Sequence, residues 1–280
     1  MAININHVFH IYSQKTPFQF EALHDVSLTI QEGSFTALIG HTGSGKSTLI
    51  QHINALLLPT AGSLQVNGIT IEANRLPKQV KKIRQYAGVV FQFPEAQLFE
   101  ETVEQDVMFG PLNFGLTKEQ AKQRASVALE QVGLNATFLS RSPFELSGGE
   151  RRRVAIAGIL AMQPKVLILD EPTAGLDAQG ANLMMDLFTK LHQQGLTIIL
   201  VTHDMDLVLK YASHVIVMDQ GRVKIQTDPE TLFYGSHDVH VEKPQLVKLV
   251  QACLGRGMPL PLKRYRTLEK FVQDVKGITS

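Results

Sequence analysis

The 280-residue sequence lacks the features that mark secreted, disulfide-bonded or membrane-spanning proteins. Its one cysteine, Cys253, cannot form a disulfide within the chain, which is typical of the reducing cytoplasm. The longest nearly uncharged apolar run, Val154–Met162, is far shorter than the roughly 20 residues needed to cross a bilayer. The N-terminus lacks the charged-then-apolar pattern of a signal peptide. We therefore expect a soluble protein that is not secreted.

Clusters of histidine and cysteine at metal-ligand spacing are also missing, so a zinc held by the protein is not expected. A formal net charge of +1 provides no positive field to favour nucleic acid. The charge is unevenly distributed. Between Arg84 and Lys118 there is no basic residue, and the middle of this interval contains five acidic residues: Glu95, Glu100, Glu101, Glu104 and Asp106. Charge alone fits a solvated loop and an interaction site equally well.

The apolar pattern predicts an α/β fold. Short alternating segments between Ile3 and Ile30 indicate antiparallel strands. Three later β-rich runs, the first two separated by a helical pattern over 182–192, are typical of a mostly parallel sheet covered by helices. These runs are Val166–Leu169, Thr197–Val201 and His214–Met218.

Two capping boxes predict helix starts in the region before these runs. Thr117–Gln120 and Ser147–Glu150 each have serine or threonine followed three residues later by glutamine or glutamate. Beyond Gly221, prolines separate the amphipathic stretches Gln245–Leu254 and Thr267–Val275. We expect a helical C-terminal extension there, and the apolar face of Gln245–Leu254 suits a partner or the core equally.

A glycine-rich loop follows the apolar run Phe35–Ile39 and precedes a helical segment from Lys46 to about Asn54. Strand, glycine loop and helix are the context of a P-loop, whose backbone N–H groups surround a β-phosphate. Lys46 would lie between the β- and γ-phosphates, and Ser47 would offer Mg²⁺ a hydroxyl ligand. The predicted nucleotide-binding segment is Gly40, His41, Thr42, Gly43, Ser44, Gly45, Lys46, Ser47 and Thr48.

Two carboxylates, Asp170 and Glu171, follow the strand pattern Val166–Leu169. Alone, an acidic pair at a strand end is more often a helix cap or a turn. Beside a P-loop, it predicts that Asp170 holds Mg²⁺ and that Glu171 activates the water that attacks the γ-phosphate.

Together with Leu146–Glu150, these motifs resemble those of ABC ATPases over about the first 225 residues. The resemblance implies an ABC-type P-loop NTPase with a RecA-like core and an N-terminal antiparallel β subdomain. It divides the chain into an ATPase domain (1–225), which includes a helical subdomain (about 95–162), and a C-terminal extension (226–280). In this family the signature serves a nucleotide held by a different polypeptide, so the chain is expected to work in a pair. The signature residues are Ser147, Gly148, Gly149 and Glu150.

Several further residues match motifs of the ABC family, in the order in which the family has them. Tyr12 resembles the aromatic that stacks on adenine, although Phe18 and Phe20 remain alternatives. Gln92 resembles the Q-loop glutamine, which contacts the metal and the attacking water. The segment Ala174–Asp177 resembles the D-loop, which crosses the dimer interface through residues such as Asp177, and His203 resembles the switch histidine, which contacts the γ-phosphate. The resemblance implies catalytic roles for Lys46, Gln92, Glu171 and His203, and metal binding by Ser47, Gln92 and Asp170.

Glu150 departs from the family pattern, which usually has glutamine at this position. A carboxylate there favours its own helix by a few tenths to about 1 kcal/mol. It would repel a γ-phosphate roughly 8 Å away by about 2 kcal/mol at an effective dielectric constant near 20, an effect that Arg151, Arg152 and Arg153 would offset. We hypothesise that the composite ATP site completed by this signature and a partner's glycine loop differs in its properties from a standard one. Such a difference would suit a heterodimer with a non-identical ATPase.

Within the ABC family, four segments resemble the ATPases of energy-coupling factor (ECF) transporters: Phe91–Phe99, Phe109–Pro111, Asn113 and Arg151–Gly158. Such transporters import vitamins or transition-metal ions through two ATPases, a transmembrane T component and a substrate-binding S component. The resemblance implies a peripheral protein at the cytoplasmic face of the cell membrane that uses ATP and Mg²⁺. It also implies that arginines of the T component dock on the acidic stretch Glu95–Asp106.

Three alternatives remain on the sequence alone. An ATPase of another ABC importer would share most motifs. A soluble ABC ATPase acting on nucleic acid would need a coiled coil, a second cassette or a basic surface, and the sequence shows none, so no nucleic-acid partner is expected. A P-loop small-molecule kinase would leave the signature, the D-loop and the switch histidine without a role.

Overall fold

The computed structural model describes residues 3–236, 241–261 and 263–279. The strands in chain order are β1 (Ile3–Tyr12), β2 (Phe20–Ile30), β3 (Phe35–Ile39), β4 (Ala61–Val66), β5 (Ile69–Glu72), β6 (Ala87–Val90), β7 (Val166–Asp170), β8 (Thr197–Val201), β9 (His214–Asp219) and β10 (Arg222–Thr227). The α-helices are α1 (Lys46–Ile53), α2 (Val80–Tyr86), α3 (Val103–Asn113), α4 (Lys118–Gln131), α5 (Gly148–Leu160), α6 (Ala178–Gln193), α7 (Met205–Tyr211), α8 (Pro229–Tyr234), α9 (Gln245–Gly255) and α10 (Leu268–Thr279). Within these ranges no helix combines the length and apolarity of a membrane span.

The larger sheet has the strand order β10-β9-β3-β8-β7-β6, and every neighbouring pair except β10 with β9 is parallel. Strands β3 and β8 are buried along their whole length, because uncharged side chains fill both faces of a covered sheet. The predicted parallel sheet is confirmed. Its orientation brings the carboxyl ends of β3, β6, β7 and β8 to one edge, where the segments after these strands meet.

The smaller sheet is antiparallel, with the order β2-β1-β4-β5, as the alternating N-terminal pattern predicts. Its buried residues, among them Ile5 and Leu64, form one core with Leu49 and Ile50 of α1 and with Leu38 of β3. The helix after the glycine loop is thus held in place by apolar packing that joins both sheets.

Between β6 and β7 the chain is helical, with α3, α4, α5 and short 3-10 helices at Pro94–Gln97, Ala136–Phe138 and Pro143–Glu145. Both predicted capping boxes are confirmed, since Thr117 and Ser147 each accept a hydrogen bond from the backbone N–H three residues later. An additional box pairs Thr102 with Gln105 and begins α3.

The C-terminal extension packs against the core of the larger sheet. Buried Phe233, Val247 and Val250 belong to the same apolar cluster as residues of β3 and β8. On α9, Leu249 and Leu254 remain partly exposed. Strand β10 spans the predicted boundary between residues 225 and 226, and the division into 1–225 and 226–280 remains our proposal.

Candidate functional site

The glycine loop joins β3 to α1 at the carboxyl edge of the larger sheet. Gly40 and Gly45 have φ values of +150° and +100°, and a Cβ at either position would overlap a backbone carbonyl oxygen, that of Met218 or Ala22. Only glycine fits these two positions without moving the neighbouring strands. The path of the loop is therefore set by its close approach to β9 and β2.

Lys46 lies inside this loop. Its Nζ donates to the carbonyl oxygens of Gly40 at 2.8 Å and His41 at 3.0 Å. Burial lowers the pKa of Lys46, while the carboxylates of Glu171 and Asp170 act in the opposite direction. The ammonium group is thus anchored to the loop within the field of Asp170, the predicted metal ligand, and Glu171, the predicted base.

Asp170 and Glu171 stand at the end of β7. Burial raises the pKa of Asp170, the neighbouring Glu171 raises it further, and Lys46 opposes both. Glu171 adopts a left-handed backbone with φ of +49°, and its N–H donates to the Val201 oxygen at 2.9 Å. Its carboxylate lies 2.8 Å from Nδ1 of His203. The predicted base and the predicted switch histidine are therefore in contact.

Ser47 and Gln92 are both exposed in segments that follow strands of this edge. Ser47 is the second residue of α1, and Gln92 is the second residue after β6. Their hydroxyl and amide oxygens, together with the carboxylate of Asp170, form a set of hard oxygen donors of the kind that Mg²⁺ takes.

Tyr12, at the end of β1, contacts the helix after the glycine loop. Its hydroxyl oxygen lies 3.2 Å from Oγ1 of Thr48, and the residue is 37% exposed. Phe18 and Phe20 are 83% and 58% exposed, and neither has an aromatic-ring contact within the described residues. A stacking platform needs a fixed ring plane, so the geometry favours Tyr12 over the two alternatives.

The signature lies at the start of α5, where Ser147, Gly148 and Gly149 are exposed. The hydroxyl and the backbone N–H of Ser147 both donate to Oε2 of Glu150, at 2.7 and 2.8 Å. These hydrogen bonds lower the pKa of Glu150. In the part of the chain that the structure describes, no hydrogen bond joins the signature to the glycine loop. The Ser147 hydroxyl is instead engaged by a carboxylate of its own chain.

Asp177 of the D-loop is also exposed, and it caps α6 by accepting a hydrogen bond from the N–H of Gly180 at 2.7 Å. This cap holds the preceding loop in a defined path. The side chain therefore has a structural partner within the chain in addition to its predicted place at a dimer interface.

Arg152 is 3% exposed and connects two functional segments. Its guanidinium makes two hydrogen bonds with the Glu95 carboxylate, at 3.0 and 3.1 Å, and donates to two carbonyl oxygens within 172–174. Arg152 is therefore paired with Glu95, and its predicted effect on the charge of Glu150 stays a prediction. Of the three neighbouring arginines, Arg153 does act on Glu150 and lowers its pKa, after the larger effect of the Ser147 hydrogen bonds.

Some carboxylates of the acidic stretch have hydrogen-bond or ion-pair partners within the chain. Glu104 forms an ion pair with Lys122 at 3.1 Å, and Asp106 accepts the N–H groups of residues 99 and 100 at 3.1 and 3.0 Å. The carboxylates of Asp106 and Glu95 hold donors within the chain, and docking of a partner's arginines on this stretch stays a prediction. The side chains that have no such partner among the described residues are Glu100 and Glu101.

Comparisons with known proteins show the family to which the chain belongs. The family model described as ABC transporter matches residues 23–174. The chain is 52% identical over 271 residues to the energy-coupling factor transporter ATP-binding protein EcfA2 of Bacillus cereus, covering 96% of this chain and 88% of that protein. It is 48% identical over 285 residues to the protein of the same name from Bacillus licheniformis, covering 99% and 98%.

Solved structures give the same result. CbiO1 from Clostridium perfringens, described as part of the ABC transporter complex cbiONQ, is 36% identical with a TM-score of 0.74, covering 90% of this chain and 94% of that one. The ATP-binding cassette MJ0796, a dimer bound to ADP and phosphate, is 30% identical with a TM-score of 0.71, covering 81% and 98%. The predicted ABC-type fold, ATP binding and ATPase activity are thereby confirmed. The chain belongs to the ABC transporter family, among the ATP-binding proteins of energy-coupling factor transporters.

Proposed function

We propose that this ATPase is one of two non-identical nucleotide-binding subunits of an ECF importer for vitamins or transition-metal ions. It would lie at the cytoplasmic face of the cell membrane, bound to a T component and through it to an S component. The observation that carries the proposal is the separation of an exposed signature from the glycine loop of the same chain. Each element is exposed to a second ATPase, and the similar cassette MJ0796, bound to ADP and phosphate, is a dimer.

In this proposal the triphosphate lies along the glycine loop, with Lys46 beside the β- and γ-phosphates. Ser47, Asp170 and Gln92 would hold Mg²⁺, because a hydroxyl, a carboxylate and an amide oxygen are hard donors of the kind that this ion takes. When bound, it supplies charge neutralisation to the phosphates. Glu171, oriented by His203, accepts the proton of the attacking water.

The T component would bind beside an open groove of about 830 Å³ formed by α3 and α4. Phe109 lines this groove, and Phe99 packs edge to face on Phe109 with ring centroids 4.9 Å apart; both rings are about half exposed. Together with Glu100 and Glu101 they form what we term the docking surface. An apolar centre with unpaired acids at its rim suits a helix that carries both apolar residues and arginines.

Reversing both rim charges, Glu100→Lys with Glu101→Lys, should weaken association with the T component at least about tenfold, because like charges would then face each other. Nucleotide affinity should not change. Co-purification with the membrane components and ATP titration would measure the two properties. A matched control reverses Glu32 and Glu130, exposed acids elsewhere on the chain, and should assemble normally. Normal assembly of the docking variant would contradict the proposed surface.

Replacing Glu150 with glutamine should raise the ATP affinity of the composite site that this signature completes, by about threefold to tenfold. Removing the carboxylate removes its repulsion of the γ-phosphate. The expected gain is modest because solvent and nearby arginines already weaken this repulsion. Glutamine preserves the capping box, so α5 should keep its start. The measurement is ATP binding and turnover by the assembled complex. If neither quantity changes, the composite site is not tuned by Glu150.

A further inference from the structure

Two buried histidines lie beside Tyr12, and the sequence motifs assign no role to either. His10, in β1, is 7% exposed, and His52, in α1, is fully buried. The His10 ring contacts both neighbours edge to face, with ring centroids 4.4 Å from that of Tyr12 and 4.7 Å from that of His52. Buried imidazoles need defined hydrogen-bond partners, and the partners here determine where the protons lie.

The acceptors around the pair leave one arrangement of protons. Nδ1 of His52 lies 2.6 Å from the Thr48 carbonyl oxygen, which only accepts, so Nδ1 carries a hydrogen. Nδ1 of His10 lies 3.1 Å from the Leu58 carbonyl oxygen and carries a hydrogen for the same reason. That nitrogen also lies 3.1 Å from Nε2 of His52. Nε2 of His52 must therefore be unprotonated and accept from His10.

Burial supports this assignment. It lowers the pKa of His52 to about 4 and lowers that of His10 as well, so both rings are neutral near pH 7. Leu58 and Thr48 contribute only backbone carbonyl groups to these hydrogen bonds. Near pH 7 the arrangement is therefore that of two neutral rings.

These contacts close a ring of four residues. Tyr12 touches His10 by its ring edge, His10 donates to His52, His52 donates to the carbonyl oxygen of Thr48, and the Thr48 hydroxyl meets the Tyr12 hydroxyl at 3.2 Å. Thr48 directly follows Lys46 and Ser47 of the glycine loop. The position of the Tyr12 ring is therefore coupled to the helix that begins the phosphate site.

We propose that His10 and His52 are positioning residues that hold the Tyr12 ring in register with the phosphate-binding loop, so that adenine and phosphates are bound together. The inference rests on the proposed role of Tyr12 as the adenine platform. It predicts that the histidines contribute to binding of the base and not to binding of the phosphates.

The test compares the affinities of the full chain for Mg-ADP and for Mg-pyrophosphate, neither of which is hydrolysed. Their ratio isolates the contribution of the nucleoside. His10→Leu and His52→Leu should each lower this ratio about threefold to tenfold, because base stacking on an aromatic ring weakens when the ring loses its support. Pyrophosphate affinity should stay unchanged, which also shows that the loop is folded. His7→Leu, an exposed position on β1, is the matched control and should keep the original ratio.

The variant Tyr12→Ala distinguishes the role of Tyr12 as the adenine platform from the positioning role of the two histidines. It should lower the ratio at least about fivefold, and adding His10→Leu to it should have no further effect, as expected when one residue acts through another. An unchanged ratio in Tyr12→Ala would refute the platform itself. A lowered ratio in Tyr12→Ala with unchanged ratios in both histidine variants would overturn only the positioning role. An equal loss of ADP and pyrophosphate affinity in the histidine variants would also overturn the positioning role.

Discussion

Replacing Glu171 with glutamine is expected to slow hydrolysis of ATP held by this chain by about 10²–10⁴-fold while ATP binding persists. The amide keeps the size of the side chain and a hydrogen-bonding group toward His203, which lies 2.8 Å from the carboxylate. It cannot accept the proton of the attacking water at neutral pH. The change corresponds to roughly 3–5 kcal/mol of activation barrier.

The measurement is phosphate release by the complex with the partner ATPase, with the partner's own nucleotide site inactivated in all samples. ATP affinity is measured in parallel. Glu32→Gln, the same chemical change at an exposed position, should keep the wild-type rate. A Glu171→Gln complex that turns over as fast as this control would remove Glu171 from the role of general base.

The second large effect is expected on stability. Arg152→Met should lower the free energy of unfolding by about 3 kcal/mol, since it leaves the half-buried Glu95 carboxylate and two carbonyl oxygens without their donor. For a chain of this size the melting temperature should fall by roughly 5–10 °C. The loss should be accompanied by loosening of two loops, because Arg152 connects Glu95, which follows Gln92, to Pro172 and to Ala174 at the start of the D-loop.

Thermal and urea unfolding would measure this effect. Arg256→Leu, at an exposed position near the end of α9, should be nearly neutral. The double variant Glu95→Gln with Arg152→Met should recover much of the loss, because no unpaired charge then remains. If the single and double variants unfold alike, the ion pair with Glu95 is not the source of the stabilisation.

The local chemistry of the site was predictable because it depends on short-range order. A glycine-rich loop between a buried strand and a helix, and two carboxylates at the end of another buried strand, each act within a few residues. The two predicted capping boxes likewise join residues only three apart. Parallel pairing then brings the carboxyl ends of β3, β6, β7 and β8 to one edge. The glycine loop, Asp170 and Glu171 could therefore be placed from local patterns, whereas Gln92 and His203 were assigned from the family resemblance.

The partners of the buried polar groups were not predictable. Glu95 and Arg152 are 57 positions apart, and His10 and His52 are 42 apart. The periodicity of apolar residues along the sequence does not predict such a contact, because the contact forms only when distant elements pack and exclude water from both groups. The acidic stretch is a second example, because its composition does not show which carboxylates have partners, whereas folding gives Asp106 backbone donors and Glu95 a buried guanidinium.

The sequence by itself thus indicated the fold class, the phosphate-binding loop, the pair of carboxylates and the position of the signature. The tertiary structure alone decided which charges remain available to a partner, which aromatic residue is fixed beside the phosphate site, and where the protons of two buried histidines lie. The physical reason is that backbone propensity and phosphate binding are local, while desolvation and hydrogen-bond pairing depend on neighbours that only the packed fold supplies.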